Sequence, residues 1–188
     1  GKIAERSDSA VNAAQRLVDL KPDYAEGHFL LAQAYAQNSD FARFEAGLRD
    51  ALALDTDHVL ARVKLGQLLV HQGKTDDARA QLAILKKVQP DNLDVLFLEA
   101  HIARASGQAE RARELFDHVF NSVSKTQTLI ALVEQEWSMG HKEAATDRLE
   151  QWIEKHPEDD AARLYLANSL GSLGKTKDSI AQYEQVLI

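Results

Sequence analysis

A 34-residue cadence runs along this chain and limits its possible folds more than any other feature. Leu65-Gly66, Gly73, Ala78 and Leu82 return as Leu166-Ala167, Gly174, Ser179 and Tyr183, 101 residues later and one short of three whole steps. The same cadence passes through Leu31-Ala32, Ser39, Phe44 and Leu48, and then through Ala100, Gly107, Ala112 and Phe116. It returns once more in Leu132-Val133, Gly140, Ala145, Leu149 and Pro157. A fixed period of this length marks stacked supersecondary units, none able to bury its apolar face alone, so an open array is expected rather than a closed globule.

Each unit reads as two helices. In residues 59–89 the first carries Leu65, Leu68 and Leu69 on one face, with the small Gly66 leaving room for a neighbour. Gln72-Gly73-Lys74 interrupts it, Gly73 being free to take positive φ at the helix end. Ala78, Leu82, Leu85 and Val88 then form a second stripe at helical spacing. Pro90 ends that stripe, and Asp91 or Asn92 can cap the next helix.

These positions resemble the tetratricopeptide repeat: Leu-Gly, Gly, Ala, an aromatic or Leu, and Pro at set offsets. The resemblance places units at 25–58, 59–92, 93–125, 126–159 and 160–188. Segment 8–22 (Ala10, Ala14, Leu17, Pro22) stands as the second helix of a partial unit. It implies an all-α fold, a right-handed superhelical solenoid of antiparallel helix pairs with about eleven helices. Two departures stand out. Glu99 falls where the family buries a leucine, so either a base such as Arg104 pairs with it or the helix is rotated; the alternative apolar face of Leu96 and Leu98 favours rotation. The stretch Asn121–Lys125 lacks proline and makes its unit one residue short, which predicts altered curvature or a hinge.

Composition excludes several classes. The 188 residues carry no cysteine, so neither a disulfide framework nor a thiolate metal site is possible. No apolar run is long enough to span a membrane. A net charge of −7 argues against a general nucleic-acid binder. Residues 59–92 hold six bases against three acids, and residues 126–159 eight acids against three bases. Such unevenness suits solvated outer faces or the orientation of a charged partner. The chain opens on Gly1-Lys2 and stops at Ile188 within an apolar pattern, which reads as a piece of something longer.

Catalytic and cofactor motifs are not found. Gly171-Ser172-Leu173-Gly174-Lys175-Thr176 has two residues between its glycines where a phosphate loop needs four, and its flanks are helical. It reads as an inter-helix turn, as does Gly73-Lys74-Thr75. No two of the seven histidines lie three or four apart, so the helical metal signature is missing. Neither an enzyme activity nor a cofactor is expected of these residues.

In the family that the chain resembles, the first helices line a concave face, with ligand-facing residues at the second, fifth, ninth, twelfth and thirteenth places. The fifth place holds Phe29, Val63, Phe97, Ile130 and Leu164; the ninth holds Gln33, Gln67, His101, Glu134 and Asn168. One column is apolar and the other hydrogen-bonding, which suits an extended peptide; equally, the first column packs between helices and the second meets water. His71 lies near the same face, and Trp137, at a twelfth place, either projects into the groove or packs into the junction near 121–127. Trp152 reads as core. The bases of the family's carboxylate clamp are replaced by Phe29, Gln33, Gln67, Phe97 and His101, which disfavours a chaperone-tail ligand.

The expected function is a non-catalytic scaffold for a protein or peptide partner. A narrower likeness lies in Trp152–Ala161, Leu166-Ala167 and Tyr183–Leu187, which resemble bacterial lipoproteins accompanying the exosortase (PEP-CTERM) sorting and exopolysaccharide export systems. That likeness implies an envelope or periplasmic setting and a lipid-anchored N-terminus. Two alternatives remain: the recognition arm of a larger enzyme such as a glycosyltransferase, and a module that self-associates through Ile180, Tyr183 and Leu187.

Overall fold

The structure is a computed structural model that describes residues 2–187, with side chains from Ser9 onward; Gly1 and Ile188 lie outside the described residues. The described residues form eleven α-helices and no strand. They are α1 (Lys2–Leu20), α2 (Ala25–Gln37), α3 (Phe41–Leu54), α4 (Val59–His71), α5 (Thr75–Val88) and α6 (Leu93–Ala105), followed by α7 (Ala109–Ser122), α8 (Thr126–Ser138), α9 (Lys142–Lys155), α10 (Asp160–Ser172) and α11 (Thr176–Val186). The chain divides into two compact units, the first ending at Leu98 and the second beginning at Glu99, so the division falls inside α6.

The turns show the repeat directly. Ser39, Gly73, Gly107, Gly140 and Gly174 all have positive φ, from 59° to 85°, and each reverses the chain between two helices. Their steps are 34, 34, 33 and 34 residues. Gly174 therefore belongs to an inter-helix turn, not a phosphate loop. Serine alone among the five bears a side chain that opposes the left-handed conformation. Ser39→Gly should raise stability by about 0.5 kcal/mol, the relief of strain being partly offset by a freer unfolded chain. A higher urea midpoint at unchanged m-value would show it.

In the first unit α2 packs against α1 and α3, and α4 against α3 and α5. Phe29, Ala32, Phe44, Leu48, Val63, Leu65, Leu69 and Leu85 form its buried interior. Helices α2 and α3 approach so closely that a Cβ on Gly47 would lie 2.9 Å from the Ala32 Cβ. Arg62 is nearly buried yet satisfied, its guanidinium donating to the Thr56 carbonyl and, at 2.8 Å, to Gln81 Oε1. The second unit repeats this clasp: Arg163 donates to the Pro157 carbonyl at 2.7 Å and to Gln182 Oε1 at 3.0 Å.

The second unit builds its core from Leu129, Val133, Leu149, Trp152, Ile153, Leu166 and Leu170, with Phe120, Trp137 and Tyr165 packed against them. Trp152 is core, as its position implies. On α6 Glu99 and Leu96 are half-buried. Leu98 and Ala100 are fully buried, and the Glu99 carboxylate accepts from Arg111 at 3.2 Å. Arg111, twelve residues on, is a base that pairs with it, and Glu136 with Arg148 repeats the arrangement at 2.8 Å. The short junction is tied down. Thr128 is buried, its hydroxyl 2.7 Å from the Val123 carbonyl and accepting from the Lys125 N–H at 3.2 Å.

Asp159 joins three helices. It caps α10 by accepting from the Ala162 N–H at 3.0 Å, and it also accepts from Trp152 Nε1–H on α9 at 2.8 Å and the Thr126 hydroxyl on α8 at 2.6 Å. Burial pushes its carboxyl upward, but the bonds from Thr126, Ala162 and Trp152 and the nearby His156 outweigh that and hold it below the usual aspartate value.

Candidate peptide-binding site

The first helices of the last two repeats, α8 and α10, line an open cavity of about 430 Å³ in the second unit. Helix α8 contributes Val133, Glu134, Trp137 and Ser138, at helical spacing on one face; α10 contributes Tyr165, Asn168, Ser169 and Ser172. Trp137 is half-buried, one part of its ring resting on the core and the rest lining the cavity. The Lys142 ammonium lies 5.5 Å from its ring centroid.

Glu134 is the polar centre. Its carboxylate accepts from the Tyr165 hydroxyl at 2.9 Å and from Arg104 at 3.3 Å. The bond to Glu134, with burial and the adjacent charge, raises the Tyr165 pKa above its ordinary value, so this hydroxyl stays a donor at neutral pH. Arg104 is held from below, 2.9 Å from His101 Nδ1 and 5.2 Å from the Phe116 ring centroid. His101 in turn meets the Phe116 ring edge-on at 5.0 Å. Asn168 is exposed and its Oδ1 accepts from the Tyr183 hydroxyl.

The expected residues are thus sorted. Glu134, Trp137 and Asn168 come together at this cavity. Phe29, Val63 and Phe97 do not face a ligand: they are 3%, 2% and 8% exposed, because the helices stacked on either side cover the fifth place. Ile130 is half-buried at the same place, and Leu164, 38% exposed, keeps an open apolar surface. In the first unit Gln33 on α2 and Gln67 on α4 are half-buried, and His71 at the end of α4 is exposed. His101 is half-buried and spends its ring on Arg104 and Phe116. Tyr165 lies outside the expected set. It stands at a sixth place, where the other repeats carry Leu30, Lys64, Leu98 and Ala131, and that lone aromatic was the available signal.

Among the described residues, no group of three or more histidines and carboxylates could hold a metal ion. No described helix is long and apolar enough to cross a membrane. Ile180, Tyr183 and Leu187 on and after α11 are 51%, 38% and 85% exposed.

A family model described as the bacterial transcriptional activator domain matches residues 54–187, and a tetratricopeptide repeat model matches residues 4–59. The chain belongs to the bacterial transcriptional activator domain family. Solved structures show the same fold around this member. A thermophilic tetratricopeptide-repeat protein of Thermus thermophilus is 18% identical with a TM-score of 0.77, over 89% of this chain and 92% of that one. YrrB, a tetratricopeptide-repeat protein with an unusual peptide-binding site, is 13% identical with a TM-score of 0.59, over 95% and 92%. Human IFIT1, as a dimer with PPP-AAAA, is 16% identical with a TM-score of 0.78; the match covers 96% of this chain but 46% of IFIT1. No curated protein matches the sequence. This transcriptional activator domain family member therefore has the all-α solenoid fold of tetratricopeptide-repeat proteins, a fold that serves in general as a protein-interaction scaffold.

Proposed function

We propose that this chain is a non-catalytic interaction module that holds a peptide segment across α8 and α10, seating one apolar side chain beside Trp137. The observation that carries this reading is the cavity itself: an aromatic wall on a helix pair, with Glu134, Asn168 and the serine hydroxyls at its rim. An extended peptide gains apolar burial from the wall and backbone hydrogen bonds from the rim. Leu164 adds apolar surface on α10, and Gln33, Gln67 and His71 offer polar contacts within the first unit. The peptide-binding site named for YrrB supports the same use of a related fold.

Selection from a displayed peptide library, followed by calorimetry, tests the proposal. Trp137→Ala should weaken the selected peptide by about 2 kcal/mol, roughly 30-fold, with circular dichroism unchanged. Asn168→Ala, at an exposed position, should weaken it without touching the core. Unaltered affinity in both folded variants would move the site elsewhere.

The family match favours the interaction arm of a bacterial transcriptional regulator as the setting. The likeness to export-system lipoproteins supports an envelope protein instead, and the arm of a glycosyltransferase-like enzyme is a third setting. The sequence of the gene beyond residues 1–188 discriminates: a DNA-binding domain, a lipobox or a catalytic domain would each select one. The exposed Ile180, Tyr183 and Leu187 support docking of a second copy, which sedimentation at high concentration would detect.

A further inference from the structure

The tenth place of every repeat is buried. Three repeats fill it with an apolar side chain, Ala34, Leu68 or Ile102, and Gln135 gives its amide to the Ala109 carbonyl at 3.1 Å. Ser169 on α10 stands at the same place, 8% exposed, and lines the α8–α10 cavity. Its hydroxyl has no hydrogen-bond partner among the described residues. Neighbouring serines have spent theirs. Ser138 donates to the Gln135 carbonyl at 2.8 Å, Ser172 to the Asn168 carbonyl at 2.9 Å, and the buried Ser179 to the Ala167 carbonyl at 2.7 Å. A polar group kept so far from water without a partner is costly, and a ligand that supplies the partner recovers that cost on binding. The charge in the cavity is spoken for. Glu134 is the one charged residue lining it, and its carboxylate already accepts from Tyr165 and Arg104.

Resting on the α8–α10 reading, we propose that the side chain seated beside Trp137 is a tyrosine, and that Ser169 selects it by meeting its phenol hydroxyl. The ring of the anchor gains burial and offset stacking against Trp137. Its hydroxyl can both donate to and accept from Ser169, and it can accept from the Asn168 amide at the rim. A charged anchor would leave water with no unspent countercharge to meet it, and an aliphatic or phenylalanine anchor would leave the Ser169 hydroxyl unpaired beneath it. A site that holds a buried hydrogen-bonding group in this way discriminates against an analogue lacking the matching hydroxyl. Ser169 is therefore a specificity-determining residue, while Trp137 supplies the contact that any aromatic anchor would share.

The chain has two tryptophans, so its indole N–H resonances, assigned with Trp137→Phe, separate the cavity from the core. Trp137 reports the cavity, and Trp152, whose N–H is given to Asp159, reports the fold. The probes are N-acetyltyrosinamide and N-acetylphenylalaninamide, titrated into the full chain. The tyrosine compound should shift the Trp137 signal with a Kd of about 1 mM, and the phenylalanine compound should bind about fivefold more weakly. Ser169→Ala should bring the tyrosine compound down to the phenylalanine value and leave the phenylalanine compound no weaker than before. Alanine already fills the tenth place in Ala34, so the Trp152 signal should stay where it is. A tyrosine preference that survives Ser169→Ala would overturn the role of Ser169. Equal binding of the two compounds by the wild type would overturn the choice of anchor, a result that needs no variant and leaves the α8–α10 site standing. A Trp137 signal that neither compound moves would overturn the seat beside Trp137 and both readings with it.

Discussion

Replacing Asp159 with alanine should cost the second unit about 3 kcal/mol. One carboxylate closes three bonds there, to the α10 backbone, the Trp152 indole and the Thr126 hydroxyl. Loss of a helix cap alone costs about 1 kcal/mol. The indole and hydroxyl donors, left in a partly buried place without their acceptor, add about 1 kcal/mol each. Hydrogen exchange should show the change as lost protection across α8, α9 and α10, with the first unit unaffected. The effect should also depend on pH in a defined direction. Because the folded carboxyl sits below its ordinary value, its contribution is complete at neutral pH and disappears as pH falls through the folded pKa. Wild type and Asp159→Ala should therefore converge on the acid side of about pH 4 and stay apart above it. A constant difference down to the most acidic pH at which the wild type folds would remove Asp159 as the cause.

Phe116→Ala should be the most damaging of the core truncations, at about 4 kcal/mol. Phe116 is fully buried, and its ring carries the edge of His101 and the guanidinium of Arg104. Arg104 reaches the carboxylate at the centre of the candidate site, so the cavity left by this change lies beneath the binding face. Chemical denaturation should register the stability loss. Phe116→Leu, which keeps most of the volume, should cost about 1 kcal/mol. In that milder variant the Tyr165–Glu134 bond should persist, readable as an unchanged upward-shifted Tyr165 titration. A Phe116→Ala protein as stable as the wild type would mean that the ring is not part of the core.

The fold was legible because helices announce themselves locally. The 34-residue cadence, the turn glycines and the apolar stripes depend on residues close in the chain, and the eleven helices follow from them. The site was only partly legible, for a physical reason. A fifth-place side chain reads the same whether it faces a ligand or the next helix, and stacking buries Phe29, Val63 and Phe97 while leaving Leu164 open. Trp137 declared itself by its size and place, whereas Tyr165 acquires its role only through Glu134 on another helix. Glu99 shows the same limit. Its partner lies across a hairpin at a distance set by the turn, and only the second instance, Glu136 with Arg148, makes the twelve-residue spacing visible as a rule.

The arginine clasp carries a consequence for how such a chain changes length. Arg62 is tied to residues 56 and 81, and Arg163 to residues 157 and 182, so each clasp is closed by groups lying within one repeat's span of sequence. A gene duplication or deletion of a whole repeat, cut in any frame that keeps those three positions together, carries its own internal fastening with it. Buried charge is ordinarily what makes a segment hard to move, because its partner stays behind. Here the charge travels with its partners, and the array is free to lengthen or shorten by whole modules.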